Sequence, residues 1–258
     1  MKFSVFEVTH QGGREKNEDR MGYCYTAESA LFLLADGMGG HPEGEMAAQI
    51  ALKAIAATFR KKANPILEDV SAFFEAAIMN AHRKIILYAA EQGLADTPRT
   101  TVLAAVVQEG QATWMHCGDS RLYHVREGEL LTRTRDHSFV EQRERGEYQS
   151  ETAHAYNRNV LYTCLGSPVR PQFDISEPVT LLQGDKLLLC SDGLWGSVED
   201  EDIVHQLALN TVSQAGPVLV ERALLAAGDH SDNITLLALE WETPDGFDTT
   251  SGMPLTPL

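Results

Sequence analysis

The sequence LFLLADGMGG, residues 31–40, places an aspartate directly after a short apolar run. A short apolar run bounded by turn residues predicts a buried strand, so we expect Asp36 at the mouth of that strand. The glycines that follow, Gly37, Gly39 and Gly40, allow a tight turn and a close approach of the backbone to a ligand. Taken alone, the stretch is more typical of a strand that ends in an ordinary Asp-Gly turn, because Asp-Gly is a common turn pair.

Three other segments of the chain repeat this arrangement of a strand-like run and an aspartate. They are LLLCSDG (residues 187–193), WMHCGDS (114–120) and GDHSDN (228–233), which contribute Asp192, Asp119, Asp229 and Asp232. Carboxylates that are brought together repel and raise each other's pKa, and a divalent cation among them removes that penalty. Mg²⁺ and Mn²⁺ prefer oxygen ligands, carboxylates included. The four segments together therefore predict a metal site where strands end.

The composition is that of an ordinary globular protein with 258 residues, 43% of them hydrophobic and 22% charged. The net charge of -16 argues against non-specific binding to nucleic acid or to an anionic membrane. We find neither a bilayer-spanning apolar run nor the features of a signal peptide in the first residues. The cysteines have no metal-type spacing and predict reduced thiols in a cytoplasmic protein; they are Cys24, Cys117, Cys164 and Cys190.

Strand-like and helical segments fall in blocks, which favours an α+β fold with helices covering antiparallel sheets. The blocks predict one domain over residues 1–241, with helices over 42–62, 65–93, 199–209 and 212–227 and a single strand over 173–182. Residues 133–160 are charged and lack a period, so we expect them to form an excursion over the surface near the site. Residues 242–258 contain three prolines and no period, and we predict a disordered tail.

Seven short motifs occur in order between Arg14 and Asn233. They are R-x-x-N-E-D (14–19), ADGMGG (35–40), TT (100–101), GDSR (118–121), DHS (136–138), SDG (191–193) and DN (232–233). Each motif is weak alone, but the ordered set resembles the metal-dependent protein phosphatase family (PPM, type 2C) in its compact bacterial form. The resemblance implies a β-sandwich of two antiparallel sheets flanked by helix pairs, a four-layer αββα arrangement.

The resemblance also implies a set of metal ligands. Asp36 looks like the carboxylate that bridges two ions, and the carbonyl of Gly37 would bind the second of them. Asp192 and Asp232 resemble the remaining ligands of the first ion. Asp119 resembles the ligand that bacterial members use for a third, weaker ion. The expected cofactor is thus two Mn²⁺ or Mg²⁺ ions, with a third at Asp119.

Four further assignments follow from the same resemblance. Glu18 and Asp19 look like groups that hold metal-bound waters, and Arg14 looks like the arginine that binds the phosphate. The excursion over residues 133–160 resembles the family's flap. Two metal ions can supply hydroxide near neutral pH for attack on phosphorus, and the planar fork of an arginine suits phosphate. This chemistry needs no side-chain nucleophile.

The predicted function is hydrolysis of phosphoserine and phosphothreonine in proteins, opposite a bacterial serine/threonine kinase. We expect a monomer with no nucleic-acid or membrane partner. Two alternatives stay open: a pseudophosphatase that keeps the fold as a binding module, and a hydrolase of small phosphate esters. The general acid is also open, because Met38 stands where some members have histidine, and His41 or a water could donate the proton. Cys190 and Ser191 offer a covalent alternative.

Overall fold

The computed structural model describes residues 1–146 and 160–244 and contains two antiparallel sheets. The first sheet has the order β1-β11-β10-β6-β7, and the second has the order β2-β3-β4-β5-β8, with β9 also pairing with β5. The strands are β1 (Phe3–His10), β2 (Arg20–Tyr25), β3 (Ser29–Ala35), β4 (Val102–Gln108), β5 (Gln111–Cys117), β6 (Arg121–Arg126), β7 (Glu129–Arg133), β8 (Asp174–Ile175), β9 (Val179–Thr180), β10 (Lys186–Cys190) and β11 (Ile234–Trp241).

The described residues form six helices, and a pair of them covers the outer face of each sheet. They are α1 (Gly44–Lys62), α2 (Val70–Gln92), α3 (Phe139–Glu144), α4 (Asp192–Trp195), α5 (Asp200–Leu209) and α6 (Val212–Ala227). The helices α1 and α2 pack on the second sheet, and α5 and α6 pack on the first. The predicted four-layer αββα fold is therefore confirmed. None of the helices in the described ranges has the length and apolarity needed to cross a bilayer.

The strand β3 shows why the opening stretch is so apolar. Successive side chains of a strand point to opposite faces. Leu31 and Leu33 belong to the core beneath α1 and α2, whereas Phe32 and Leu34 belong to the core between the two sheets. Because both faces of β3 are buried, the strand needs a continuous apolar run, and the chain becomes polar only at Asp36, where the strand ends.

Three predicted elements differ from the structure. The second helix begins at Val70 instead of Pro65, because the Asp69 side chain accepts a hydrogen bond from the amide of Ala72 and caps the helix there. Residues 173–182 form the short strands β8 and β9 instead of one strand. The first helix begins at Gly44, just after Pro42.

The domain boundaries stay predictions. The excursion begins at Arg133, the last residue of β7, and contains the short helix α3, whereas residues 147–159 lie outside the described residues. Two residues of the predicted tail continue the pairing with the first residues of the chain. The amide of Glu242 donates to the Lys2 carbonyl at 3.0 Å, and Thr243 is buried. Residues 245–258 lie outside the described residues.

Candidate active site

A cavity of about 550 Å³ opens where strands of both sheets end. Asp36 follows β3, Asp119 follows β5, Asp192 follows β10 and Asp232 precedes β11. All four aspartates line the cavity together with Arg14, Glu18 and Gly37, which were predicted from the sequence as site residues. The predicted Asp19 lies behind the wall and is buried. Residues from both ends of the chain thus meet in one cleft.

The four aspartates create a strongly anionic centre. Burial raises the pKa of Asp36 well above its ordinary value, and the neighbouring charges of Asp19 and Asp192 raise it further. Burial and the charge of Asp192 also raise the pKa of Asp119. Carboxylates concentrated in this way are costly to ionise without a cation.

The donor set of this centre fits divalent metal ions. The side chains offer only oxygen atoms, which Mg²⁺ and Mn²⁺ prefer. Oδ1 of Asp19 is buried and has no hydrogen-bond partner among the described residues. A cation, or water bound to one, would satisfy this atom and would offset the repulsion between the carboxylates.

The paired threonines hold the backbone of Asp36, a role that the sequence motif alone did not reveal. The Thr101 hydroxyl accepts a hydrogen bond from the Asp36 amide at 3.0 Å, and the Thr100 hydroxyl donates to the Asp36 carbonyl at 2.8 Å. The Thr101 amide also donates to that carbonyl at 2.9 Å. The Thr101 hydroxyl further contacts the hydroxyl of Ser120, next to Asp119, at 2.8 Å. These bonds fix two site aspartates relative to each other.

Replacing Thr101 with valine is expected to lower kcat/KM for a phosphopeptide about 10- to 100-fold. Valine keeps the shape of the side chain but removes the hydroxyl that joins Asp36 to Ser120. Steady-state hydrolysis in Mn²⁺ measures the effect. The matched control is Thr113→Val, which changes a buried threonine of β5 outside the cavity. Equal activity of the two variants would contradict this positioning role.

Arg14 reaches the cavity from the loop between β1 and β2. Its Nη2 lies 2.6 Å from Oδ2 of Asp232, and its side chain is 53% exposed. Asn233 fixes the loop: its Nδ2 donates to the carbonyls of Gln11 and Lys16 at 2.8 and 2.9 Å, and its Oδ1 accepts from the Glu18 amide at 2.7 Å. Asn233 therefore positions the loop that carries Arg14, and this contact explains why an asparagine stands in the DN motif.

Glu18 and Asp19 lie in different environments. Burial, followed by the nearby Glu45 carboxylate, raises the pKa of Glu18. Burial raises the pKa of Asp19 to about 7, although the Ser191 hydroxyl donates to its Oδ2 at 2.7 Å. Glu18 lines the cavity, whereas Asp19 is buried beneath the cavity wall.

The same contacts argue against covalent catalysis by Ser191 or Cys190. The Ser191 hydroxyl is buried, bonded to Asp19, and accepts from the Thr235 amide at 3.0 Å. The Cys190 thiol is fully buried, and this burial raises its pKa, so the reactive thiolate is disfavoured. Neither side chain lines the cavity.

The loop that carries Asp119 is held at each of its residues. Both the amide and the carbonyl of Gly118 bond to His137, at 3.2 Å to its Nδ1 and 3.0 Å to its amide. Nε1 of Trp195 donates to the Asp119 carbonyl at 3.0 Å. The Arg121 guanidinium lies 3.6 Å from the centre of the Trp195 ring and forms two hydrogen bonds with the Asp136 carboxylate. The GDSR and DHS motifs are therefore one structural unit that fixes Asp119.

A second group of metal-ligand side chains lies outside the cavity. Ligand atoms of His116, His137 and Asp174 lie within 4.8 Å of one another. Because Nδ1 of His137 accepts the Gly118 amide proton, the ring's own proton is on Nε2, which faces Asp174 at 3.3 Å. That nitrogen has no free lone pair for a metal. We interpret the group as part of the support for the Asp119 loop.

His41, the histidine considered as a general acid, does not line the cavity. Met38 faces it, whereas His41 lies away from it, with Nε2 at 3.9 Å from an Asp96 carboxylate oxygen. Burial, followed by the positive charge of Arg99, lowers the pKa of His41 and disfavours the protonated form that an acid needs. Of the two donors considered from the sequence, water is therefore the better candidate.

Comparisons with known proteins agree with this geometry. The family model for protein phosphatase 2C matches residues 8–226. The chain is 31% identical to the serine/threonine phosphatase stp of Listeria monocytogenes over 92% of this chain and 95% of that protein. It resembles the crystal structure of the serine/threonine phosphatase Stp1 from Staphylococcus aureus with a TM-score of 0.81, at 29% identity over 94% of this chain and 96% of that one.

A further solved structure bears on the metal site. The catalytic domain of the serine/threonine protein phosphatase PstP, in complex with two manganese ions, matches with a TM-score of 0.76 at 30% identity, over 93% of this chain and 99% of that one. The family membership expected from the seven sequence motifs is therefore confirmed. This chain belongs to the protein phosphatase 2C family.

Proposed function

We propose that this chain is a metal-dependent phosphatase that removes phosphate from phosphoserine and phosphothreonine in proteins. The observation that carries the proposal is the convergence of Asp36, Asp119, Asp192 and Asp232 with Arg14 in one cleft. The alternative of a pseudophosphatase is disfavoured, because every aspartate expected to bind metal is present and lines the cavity.

The residues that would hold the metal ions are Asp36, the Gly37 carbonyl, Asp192 and Asp232, with Asp119 available to a third ion. When bound, divalent ions of this kind lower the pKa of coordinated water and supply a hydroxide nucleophile near neutral pH. Mn²⁺ is our first choice, because the related PstP domain holds two manganese ions.

The chain's own residues bind and orient the phosphate. Arg14 can pair with two phosphoryl oxygens through its planar guanidinium and stabilise the charge that builds there. Its present partner, Asp232, keeps the guanidinium inside the cleft. Glu18 faces the same space and can accept hydrogen bonds from water. No histidine lines the cavity in the described ranges, so water is the proposed proton donor to the leaving alkoxide.

The form of the cavity favours a protein substrate over a small ester. Its rim contains exposed residues of the β1–β2 loop and of the Gly39-Gly40 turn, so an extended chain can reach the carboxylates from solvent. A phosphoprotein substrate implies a partner serine/threonine kinase, whose signal this enzyme would reverse. We also propose a monomer, because the large exposed apolar side chains are distributed over several separate elements in the described residues. We propose a cytoplasmic location, because the cysteines are free thiols; they are Cys24, Cys117, Cys164 and Cys190.

The deciding experiment is hydrolysis of a phosphothreonine peptide with Mn²⁺, then with EDTA, beside Asp192→Ala. We expect turnover that requires the metal and disappears in the variant. Hydrolysis of p-nitrophenyl phosphate, measured in parallel, separates the alternatives. Turnover of this small ester without turnover of any phosphopeptide would favour a small-ester hydrolase, and failure on both by a folded, Mn²⁺-binding protein would favour the binding module.

A further inference from the structure

A second groove, of about 500 Å³, adjoins the catalytic cavity. The two share Arg14, Asp192 and Asp232, so these three residues form a common wall. Beyond that wall the groove runs between α4 and the end of α6, away from the Gly39-Gly40 turn. A substrate whose phosphate lies against Arg14 is therefore directly beside this groove.

The far part of the groove is lined by residues with little or no side chain. They are Gly193, Gly196, Ser197, Ala226 and Ala227, with His230 beside them. Small residues leave room for another polypeptide to lie close to the surface. Gly193 itself cannot become larger, because a Cβ built there would lie 2.1 Å from the Asn233 carbonyl oxygen. That glycine lets α4 pack closely against the start of β11.

His230 gives the groove its polar contact. It lies in the short 3-10 turn at residues 228–230, is exposed, and comes two residues before Asp232. The loop that carries it is anchored, because the Gly13 amide donates to the Ser231 carbonyl and to the Ser231 hydroxyl, both at 2.9 Å. The backbone that carries His230 is thus held in place, and its imidazole lines the same groove as Arg14, where it can donate to a substrate carbonyl.

We propose that this groove binds the extended segment of the phosphoprotein that adjoins the phosphorylated residue, with His230 contacting its backbone. The inference rests on the proposed function and adds a place where the enzyme can distinguish a polypeptide from a small phosphate ester. It makes His230, Ala226 and Ala227 specificity-determining residues. The roles proposed above for the metal ligands and for Arg14 stay the same.

The test compares Ala226→Trp and His230→Ala with the wild type on two substrates, a phosphothreonine peptide and p-nitrophenyl phosphate. We expect kcat/KM for the peptide to fall about tenfold or more when tryptophan fills the groove, and several-fold for His230→Ala. Turnover of p-nitrophenyl phosphate should not change, because it does not extend beyond the common wall. The matched control is Leu225→Trp, the neighbouring position on α6, whose side chain is 76% exposed and does not line the groove.

Peptides extended on only one side of the phosphothreonine identify the segment that enters. The Ala226→Trp penalty should appear with one of the two and be absent with the other. An equal effect of Ala226→Trp on peptide and small ester, or no effect on any peptide, would overturn the inference. Failure of the wild type on both substrates would instead overturn the proposed function, so the two failures are distinguishable.

Discussion

Replacing Asp36 with asparagine is expected to abolish turnover and to raise the melting temperature of the EDTA-treated protein. Asp36 lines the cavity, and the charges of Asp19 and of the other cavity aspartates all act on it. Its expected role is to bridge two metal ions, so its loss removes the charge on which both depend. We expect kcat to fall about a thousandfold or more.

The rise in stability follows from the direction of the pKa shift. A carboxyl whose pKa is raised on folding favours the protonated form in the native state, so its ionisation destabilises the fold at neutral pH. Asparagine has the same size and no charge, and it relieves the repulsion with Asp192 and Asp19. For a domain of this length, each kcal/mol corresponds to about 2–4 °C in melting temperature, so we expect an increase of a few degrees.

Thermal melting in EDTA, calorimetric titration with Mn²⁺ and phosphopeptide hydrolysis together test this prediction. Asp202→Asn is the control, because Asp202 is an exposed aspartate of α5 paired with Arg222 outside the cavity. The control should bind Mn²⁺ and turn over like the wild type. An Asp36→Asn protein that melts below the wild type in EDTA, or that keeps a tenth of its activity, would refute the role assigned to Asp36.

Much of the architecture was predictable because the local signals agree with the fold. Strand β3 is buried on both faces, so its sequence has no alternation, yet its length and the glycines after Asp36 identified it. The α2 start was missed for a local reason. Pro65 is compatible with a helix start, but the Asp69 side chain caps the helix by accepting a hydrogen bond from the Ala72 amide, and this cap decides the boundary. Residues 173–182 are split because β8 and β9 pair with separate parts of β5.

The metal-ligand candidates were visible in sequence, whereas their supports were not. Four aspartates stand beside apolar runs, and this pattern can be recognised in the sequence. The contacts of Thr101 with Asp36, and of Asn233 with the Arg14 loop, join segments far apart in the chain, and no periodicity encodes them. The same holds for Trp195, whose indole bonds to the Asp119 carbonyl across the site. Tertiary hydrogen bonds of this kind become visible only in the folded structure.

A buried charge network far from the site gives the second large effect. Asp185, directly before β10, has no exposed side-chain surface and accepts four hydrogen bonds. His124 donates at 2.9 Å, Arg126 donates twice at 2.7 Å, and the Leu182 amide donates at 3.1 Å. Burial alone would raise the pKa of this carboxyl, but the bonds from Arg126 and His124 outweigh it and lower the pKa to about 2.

Replacing Asp185 with alanine is expected to cost about 3–5 kcal/mol of unfolding free energy, because it leaves the Arg126 guanidinium without its buried counter-charge and His124 Nε2 without its acceptor. That loss corresponds to a fall of roughly 6–20 °C in melting temperature. The protein that remains folded should keep its kcat, since Asp185 and the proposed metal ligand Asp192 lie at opposite ends of β10, about 20 Å apart by strand geometry.

The pH dependence separates the charge of Asp185 from its shape. A carboxyl whose pKa is lowered on folding stabilises the protein above its unfolded value, near pH 4, and loses this contribution as the pH falls toward 2. Asp185→Asn keeps the size of the side chain but not its charge, so it should be less stable than the wild type at pH 7 and approach it as the pH falls below 4. Chemical denaturation at both ends of this range measures the difference. A constant gap between wild type and Asp185→Asn from pH 7 to pH 2.5 would show that packing, and not the ion pair with Arg126, makes Asp185 important.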